Sequence, residues 1–213
     1  MIVELINADY VAGLNSTWRK ENNMSFVGKS GDNIFINCSH KRCVAHFEVL
    51  CGLHRPNMGK LEILGKDPYN MIPKEAAAFR RDLIGAVPYN LGLIPEMRMI
   101  DQIALPMKLI GIDSTTILEE IKKLSAALMP LYDLCNIPGK CNTRKQAYAA
   151  ILRAVICNPK IIVMNGFLDD MPDVDADALW QAFHTIRPQN SVLIYLSGAP
   201  APTQVNWTQY LRG

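Results

Sequence analysis

The 213-residue chain lacks several features that would assign it to a simple class of protein. No apolar run reaches the roughly 18 residues of a membrane-spanning helix, so we expect no bilayer span. Residues 1–5 show no basic segment before an apolar one, so we expect no signal peptide. The net charge is only +2, which gives no reason to expect nucleic acid as a partner.

Metal-binding and disulfide patterns are also missing from the six cysteines. Their spacing is irregular, and Cys38, Cys43 and Cys51 contain no C-x-x-C pair, so we expect no zinc site. A disulfide framework is typical of short secreted chains, so we predict reduced thiols. The aspartates between positions 169 and 177 lack the central glycine and the closing glutamate of a calcium loop. They are interpreted as a solvated acidic turn before a helix.

Short apolar runs alternate with segments of helical periodicity along most of the chain. Strands are predicted at 2–6, 24–27, 34–36, 59–65, 83–87, 161–164 and 191–196. Helices are predicted at 73–82, 100–110, 115–131, 144–157 and 175–186. This alternation indicates an α/β protein whose sheet has both faces covered.

The segment from Ile36 to Ala45 stands where a phosphate-binding loop is expected. It follows an apolar strand and opens a helix that ends before Gly52-Leu53, which is the context of the motif G-x-x-x-x-G-K-[ST]. The residues of that motif are nevertheless replaced. The two glycine positions hold Asn37 and Arg42, the lysine position holds Cys43, and the hydroxyl position holds Val44.

The order and spacing of these segments resemble the ATPase subunits of ABC transporters over nearly the whole chain. The stretches that carry the resemblance are 23–32, 52–61, 80–87, 99–107 and 152–160. Within that family, residues 99–107 resemble the bacterial group for lipoprotein release, macrolide export and cell division. The resemblance implies a P-loop NTPase-like (RecA-like) core sheet with an N-terminal antiparallel β subdomain, over 1–90 and 150–213. It also implies an inserted α-helical subdomain over 91–149.

The resemblance aligns the positions that carry ATP hydrolysis with unsuitable residues. Asn165 takes the position of the magnesium-shell Asp, and Gly166 that of the Glu that orients water. Tyr89 takes the position of the family's glutamine. A lysine at position 43 would attract a phosphate charge ~4 Å away by roughly 4 kcal/mol, for an effective dielectric near 20. Cys43 supplies no such charge, so we predict that hydrolysis is lost.

Other family positions are altered as well. The signature motif aligns with residues 141–145, where Thr143 and Arg144 replace two glycines and Asn142 is predicted to cap the following helix. The switch histidine falls on Ser197 or Gly198.

The resemblance therefore implies a degenerate nucleotide pocket with no catalytic residue and no metal ligand. Its positions are Tyr10, Asn37, Ser39, Lys41, Arg42, Cys43, Val44, Tyr89, Asn165 and Gly166. Tyr10 is interpreted either as the aromatic residue that stacks on adenine or as a half-buried strand residue. Lys41 and Arg42 form either an anion site or an exposed basic turn.

Three hypotheses for function remain open at this stage. The first is a catalytically inactive, structural or regulatory partner of an integral-membrane permease, paired with a second, active ABC ATPase or with itself, on the cytoplasmic face of the membrane. Its permease-docking residues are predicted to be Tyr89, Met97, Met99, Ile100 and Leu105. The second is a sensor that binds ATP weakly without cleaving it, and the third is an ATPase with unorthodox active residues.

Overall fold

The structure is a computed structural model that describes residues 1–9, 24–126 and 128–212. The strands in these ranges are β1 (Val3–Asp9), β2 (Met24–Gly28), β3 (Asn33–Asn37), β4 (Met58–Ile63), β5 (Ile84–Val87), β6 (Ile161–Asn165), β7 (Val192–Ser197) and β8 (Gln209–Arg212). The helices are α1 (His40–Leu50), α2 (Pro73–Leu83), α3 (Met99–Leu109), α4 (Ser114–Ser125), α5 (Leu131–Leu134), α6 (Thr143–Val155) and α7 (Asp173–Ile186). None of the helices described is both long and apolar enough to cross a bilayer.

A five-stranded parallel sheet in the order β5-β6-β7-β3-β8 forms the centre of the molecule. Asn37 at the end of β3 pairs with Ser197 at the end of β7, and Asn165 at the end of β6 pairs with Leu196. Because the strands are parallel, these ends lie together at one edge of the sheet. That edge is where ligands bind in open α/β folds.

Helices cover both faces of this sheet, and the strand residues alternate between two buried clusters. Phe35 belongs to the cluster that contains α6, whereas Ile34 and Ile36 belong to the cluster that contains α1. The predicted α/β class with a doubly covered sheet is confirmed. A separate antiparallel sheet in the order β2-β1-β4 accounts for the N-terminal β region.

Aromatic rings fill the layer between α7 and the sheet. The Trp180 ring lies 5.2 Å from the Tyr195 ring and 6.2 Å from the Trp207 ring, both edge-on or tilted. The Phe35 ring lies 5.4 Å from Trp207. This cluster fixes the position of Tyr195, whose hydroxyl group reaches the carboxyl edge of the sheet.

The prediction and the structure differ most at two elements. Helix α4 ends at Ser125 rather than at residue 131, and Pro130, which has no backbone N–H to donate within a helix, precedes α5. Strand β8 was not predicted, since it is only four residues long and its residues are alternately half-buried and exposed. The division into a core (1–90 and 150–213) and a helical subdomain (91–149) stays a prediction.

Candidate functional site

The loop between β3 and α1 is joined to the end of β7. The Asn37 side-chain amide donates hydrogen bonds of 3.2 Å to the carbonyl oxygens of Ser197 and Ala199. Ser39 is the last residue before α1, and its carbonyl oxygen accepts from the Cys43 backbone N–H at 2.9 Å. The loop therefore has the strand–loop–helix geometry predicted from the sequence. At the first position of the motif, however, the Asn37 side chain is hydrogen-bonded to the backbone after β7.

Cys38 and Cys43 form a disulfide within this loop. Their Cα atoms are 5.6 Å apart, which is within the range that a disulfide spans, and both residues are buried. The prediction that all cysteines are reduced is therefore wrong for this pair. The first turn of α1 brings together two residues that are five positions apart, a relationship that motif spacing does not show.

The position of the motif's lysine holds a buried cysteine, and the basic residues of the loop precede it. Lys41 and Arg42 are exposed in the first turn of α1, whereas Cys43 is only 2 % exposed. Val44 is 37 % exposed and has no oxygen to bind a metal. The side chains at positions 43 and 44 thus do not fit a magnesium nucleotide, which needs a cation and a hydroxyl group there.

The end of β6 also lacks carboxylates. Asn165 is buried at the last position of the strand, and the Gly166 backbone N–H donates to Leu196 O at 2.7 Å. Gly166 has a φ of +47°, and a Cβ placed there would lie 2.9 Å from Asp169 Oδ2. A side chain at position 166 is therefore opposed by both the backbone conformation and Asp169.

The Asp169 carboxylate is hydrogen-bonded to the carboxyl edge of the sheet. Ser197 Oγ lies 2.7 and 2.8 Å from the two carboxylate oxygens, and Tyr195 Oη donates to Oδ1 at 3.1 Å. Burial raises the pKa of Asp169, while the hydrogen bonds from Ser197 and Tyr195 act in the opposite direction. Asp169 is exposed, as the predicted solvated acidic turn requires, and its carboxylate is in addition hydrogen-bonded to the end of β7.

Asp170 accepts a hydrogen bond from the hydroxyl group of Tyr89, which follows β5. The His40 ring packs edge-on against the Tyr89 ring with centroids 4.8 Å apart. Tyr89, Asp170 and His40 thus connect the loops after β5 and β6 with the start of α1, where the β3–α1 loop ends. Sequence reasoning assigned Tyr89 to the site but missed Asp170 and His40 as its partners. The sequence signal that could have identified them is their position after the core strands β6 and β3.

The N-terminus of α6 is held by contacts within the chain. Asn142 Oδ1 accepts from the Lys145 backbone N–H at 2.9 Å, which confirms the predicted helix cap. Arg144 forms an ion pair of 2.9 Å with Asp175, and Lys145 forms one of 2.7 Å with Asp133. Tyr10, the remaining predicted pocket residue, lies outside the described residues. Within 1–9, 24–126 and 128–212, no three His, Cys, Asp or Glu side chains come together as a metal site.

An apolar groove of about 400 Å³ opens beside the Tyr89 loop. Leu53 is 61 % exposed, Leu105 is 37 % exposed and Leu109 is 65 % exposed along it. The other lining residues are Phe47, Arg81, Ile84, Ala86, Pro88, Gly92, Pro106, Arg153, Ala154 and Cys157. We call this surface the leucine groove.

Arg153 fixes the rim of the leucine groove. Its guanidinium group donates to Gly92 O at 2.6 Å and to Leu91 O at 2.8 Å. Burial lowers the pKa of Arg153. The loop that carries Tyr89 is therefore anchored from α6 as well as from Asp170.

The predicted docking residues are only partly at this surface. Leu105 lines both the leucine groove and a neighbouring depression of about 490 Å³, which Met97 also lines. Ile100 is half-buried against the core, and Tyr89 is 38 % exposed. Met99 is completely buried in the core, so its predicted place on a docking surface is wrong. The helical periodicity did not show which side of α3 faces the other helices.

Comparisons with known proteins agree on one family. No protein-family model matches the chain. The chain is 21 % identical over 188 residues to the lipoprotein-releasing system ATP-binding protein LolD of Geobacter metallireducens, an alignment that covers 88 % of this chain and 80 % of LolD. It is 25 % identical over 150 residues to the macrolide export ATP-binding/permease protein MacB of Syntrophobacter fumaroxidans, covering 70 % of this chain and 21 % of MacB.

The fold gives the same result. The dimeric structure of MJ0796, a bacterial ABC transporter cassette, matches with a TM-score of 0.81 at 17 % identity, covering 93 % of this chain and 88 % of that one. The P-loop NTPase-like core with its antiparallel β subdomain is thereby confirmed. By sequence and fold, the chain is similar to the ATP-binding subunits of ABC transporters, and LolD and MacB are among the proteins that it resembles.

Proposed function

We propose that this chain is an ABC-cassette subunit that does not hydrolyse ATP and that acts as a structural or regulatory partner of a membrane permease. The observation that carries the proposal is the disulfide between Cys38 and Cys43, which closes the loop where phosphate would bind. The lysine position is then both neutral and buried, so it offers no charge to a triphosphate.

The carboxylates at the sheet edge support the loss of hydrolysis. Asp169 accepts hydrogen bonds from Ser197 and Tyr195, and Asp170 accepts one from Tyr89. Both acids are therefore already engaged by hydroxyl groups of the same chain. A general base has to reach the attacking water in a suitable geometry, and the end of β6 offers only an amide and a glycine for that role.

The leucine groove supports a permease as the partner. Leu53 and Leu109 expose more than half of their surface beside Leu105, which is 37 % exposed. A shallow apolar groove of this kind binds an amphipathic helix through side chains spaced three or four residues apart. We propose that a helix of the permease on the cytoplasmic side occupies it.

A second subunit completes the proposed assembly. Since this chain lacks hydrolytic groups, we propose that an active ABC ATPase in the same complex supplies ATP turnover. At the N-terminus of α6, the charges of Arg144 and Lys145 are balanced by Asp175 and Asp133. The proposed location of the complex is the cytoplasmic face of the cell membrane, and a pair of identical chains is the alternative arrangement.

Co-purification from native membranes tests the permease interaction. The tagged chain is expressed in its own organism and recovered in mild detergent, together with Leu109→Glu and Leu118→Glu variants. Leu118 is a matched control because it is 36 % exposed on α4 and does not line the leucine groove. We expect a permease with the wild type and with Leu118→Glu but not with Leu109→Glu. Recovery of the same proteins with all three chains would contradict the docking site.

Nucleotide measurements on the purified chain test the loss of hydrolysis. We expect no phosphate release and no calorimetric heat with millimolar ATP and magnesium. Heat without phosphate release would favour the sensor hypothesis instead. Turnover that disappears in a Lys41→Ala variant would refute the proposal and establish an ATPase with unorthodox residues.

A further inference from the structure

We infer that Cys38 and Cys43 form a reversible thiol–disulfide site and that His40 transmits its redox state to the Tyr89 loop. The two cysteines link the end of β3 to the first turn of α1, with Cα atoms 5.6 Å apart. The inference about the chemistry stands on this geometry. The inference that this redox site controls the leucine groove rests, in addition, on the proposed function.

A purely structural role fits this disulfide poorly. It closes a loop of only a few residues, and the stabilisation from a disulfide falls as the closed loop becomes shorter. Cys51, Cys135, Cys141 and Cys157 are free thiols, so the chain is not organised by a disulfide framework. In a reducing compartment, such as the one that the proposed function assigns, protein disulfides are typically transient or redox-sensing.

The surroundings of the pair favour exchange. Cys43 lies in the first turn of α1, and the positive end of a helix stabilises a thiolate. Lys41 and Arg42, between the two cysteines, add positive charge to the same turn. The sulfurs are buried, but Ser39 and His40 beside them are exposed, so a local opening of this surface loop is enough to admit a small thiol.

The reaction is a two-electron exchange with a low-molecular-weight thiol such as glutathione. A glutathione thiolate attacks one sulfur, the Cys38–Cys43 bond breaks, and the released thiolate takes up a proton. A second glutathione thiolate attacks the glutathione sulfur of the mixed disulfide and releases the other cysteine, which is also protonated. Two glutathione molecules become one oxidised glutathione, and the two electrons remain on the two cysteine thiols.

His40 gives this reaction a path to the leucine groove. Its ring packs against Tyr89 at 4.8 Å, and it lies within the loop that the disulfide closes. Tyr89 follows Pro88, which lines the leucine groove. Reduction removes one anchor of the His40 turn, so the Tyr89 loop loses part of its support.

Trypsin makes the redox state directly measurable. Lys41 and Arg42 separate the two cysteines, so cleavage leaves the 30–41 peptide and the peptide that starts at Cys43 joined only by the disulfide. The purified chain is equilibrated at graded ratios of reduced to oxidised glutathione, alkylated, digested and weighed by mass spectrometry. We expect the linked pair to disappear in one two-electron transition between the oxidising and reducing ends of the series.

Two outcomes overturn the inference about the chemistry. If the linked pair is absent even at the oxidising end, the cysteines do not form the bond. If it persists in fully reducing buffer, the disulfide is a fixed structural link. A Cys135→Ser variant is the matched control, because Cys135 is an exposed thiol outside the loop, and it is expected to titrate like the wild type.

Amide hydrogen exchange tests the transmission. We expect the backbone amides of residues 89–92 to exchange severalfold faster in the reduced than in the oxidised chain. A His40→Ala variant is expected to remove this difference while its disulfide still responds to the glutathione ratio. Cys43→Ser, with Cys38→Ser as a second variant, is expected to reproduce the reduced state in every buffer. Equal exchange in both redox states refutes the transmission. These measurements need no permease, so failure to find one refutes the proposed function alone.

Discussion

The hydroxyl group of Tyr89 donates a hydrogen bond to the carboxylate of Asp170, which lies 81 residues later in the chain. This bond joins the loop after β5 to the loop after β6 at the carboxyl edge of the parallel sheet. His40, the first residue of α1 directly after the β3–α1 loop, packs on the same tyrosine ring. The three loops that would surround a nucleotide are therefore connected by side chains of the protein itself.

The first prediction concerns the ionisation of Tyr89. The hydrogen bond to Asp170 and then the negative charge of that residue raise the pKa of Tyr89, because ionisation would remove the donor and place two anions together. The bond is complete below the ordinary tyrosine pKa of about 10 and is lost as the pH rises through the raised value. We expect Asp170→Asn to lower the pKa of Tyr89, measured as the difference in tyrosinate absorbance between chains with and without Tyr89→Phe.

Asp173→Asn is the control for this titration, because Asp173 is exposed in the first turn of α7. It is expected to leave the Tyr89 titration unchanged. A Tyr89 titration that is the same with Asp170→Asn as with aspartate would show that the two groups do not interact in solution.

The second prediction concerns the pH dependence of stability through Asp169. Because burial raises the pKa of Asp169, the folded chain keeps this proton to higher pH than the unfolded chain. The contribution of Asp169 to the free energy of unfolding therefore falls as the pH rises from about 4, the ordinary Asp value, through the raised pKa. Denaturant unfolding at several pH values measures it as wild type minus Asp169→Asn. A flat difference across this window would contradict the raised pKa.

The third prediction concerns Gly166. Its φ of +47° is in the left-handed region, which costs an L-residue about 1–2 kcal/mol. We expect Gly166→Ala to lower the free energy of unfolding by about that amount or more, because the new Cβ also approaches Asp169. Gly166→Glu, which places a carboxylate at the end of β6, is expected to be destabilised and, on the proposed function, to show no ATP turnover.

Gly139→Ala is the matched control, since no atom lies within 4 Å of the position of its added Cβ. It is expected to change the free energy of unfolding much less. Phosphate release by Gly166→Glu would show that one carboxylate is enough for catalysis. It would contradict the proposal that the closed β3–α1 loop prevents hydrolysis.

The fourth prediction concerns Arg153. Replacement by Met removes the donors to Leu91 O and Gly92 O and leaves these carbonyl groups at the rim of the leucine groove without their partner. We expect the free energy of unfolding to fall by about 1–3 kcal/mol, measured with denaturant. Arg144→Met, which breaks the exposed pair with Asp175, is expected to cost only about 0–1 kcal/mol. Equal losses for the two variants would contradict the anchoring role.

The arrangement of strands and helices was predictable because hydrophobic periodicity reports which faces are buried. Ile34, Phe35 and Ile36 form an apolar run because β3 is covered on both sides. The loop between β3 and α1 was found for a similar reason, since its strand–loop–helix spacing does not depend on which side chains the loop carries. Helix α4 was predicted to continue past Pro130 to residue 131, whereas it ends at Ser125.

The contacts of the site were not predictable, because they join residues far apart in the chain. The position of Asp170 after β6 indicated the correct edge of the sheet but not its hydrogen bond with Tyr89, and the aspartate-rich stretch looks like an ordinary solvated turn. Met99 and Leu105 lie on one short helix, but packing buries the first and exposes the second. The Cys38–Cys43 bond depends on the conformation of the first turn of α1, which the spacing of the cysteines does not determine.

The aromatic layer beside α7 has a practical consequence. Trp180 contacts Tyr195, and the Tyr195 hydroxyl group donates a hydrogen bond to Asp169. The Trp180 indole is therefore connected through Tyr195 to a carboxylate at the edge of the sheet. Its emission spectrum is a label-free optical reporter for that edge. With Trp18, which is outside the described residues, replaced by Phe, fluorescence of the remaining indoles would reveal in a cuvette whether any added compound reaches this part of the molecule.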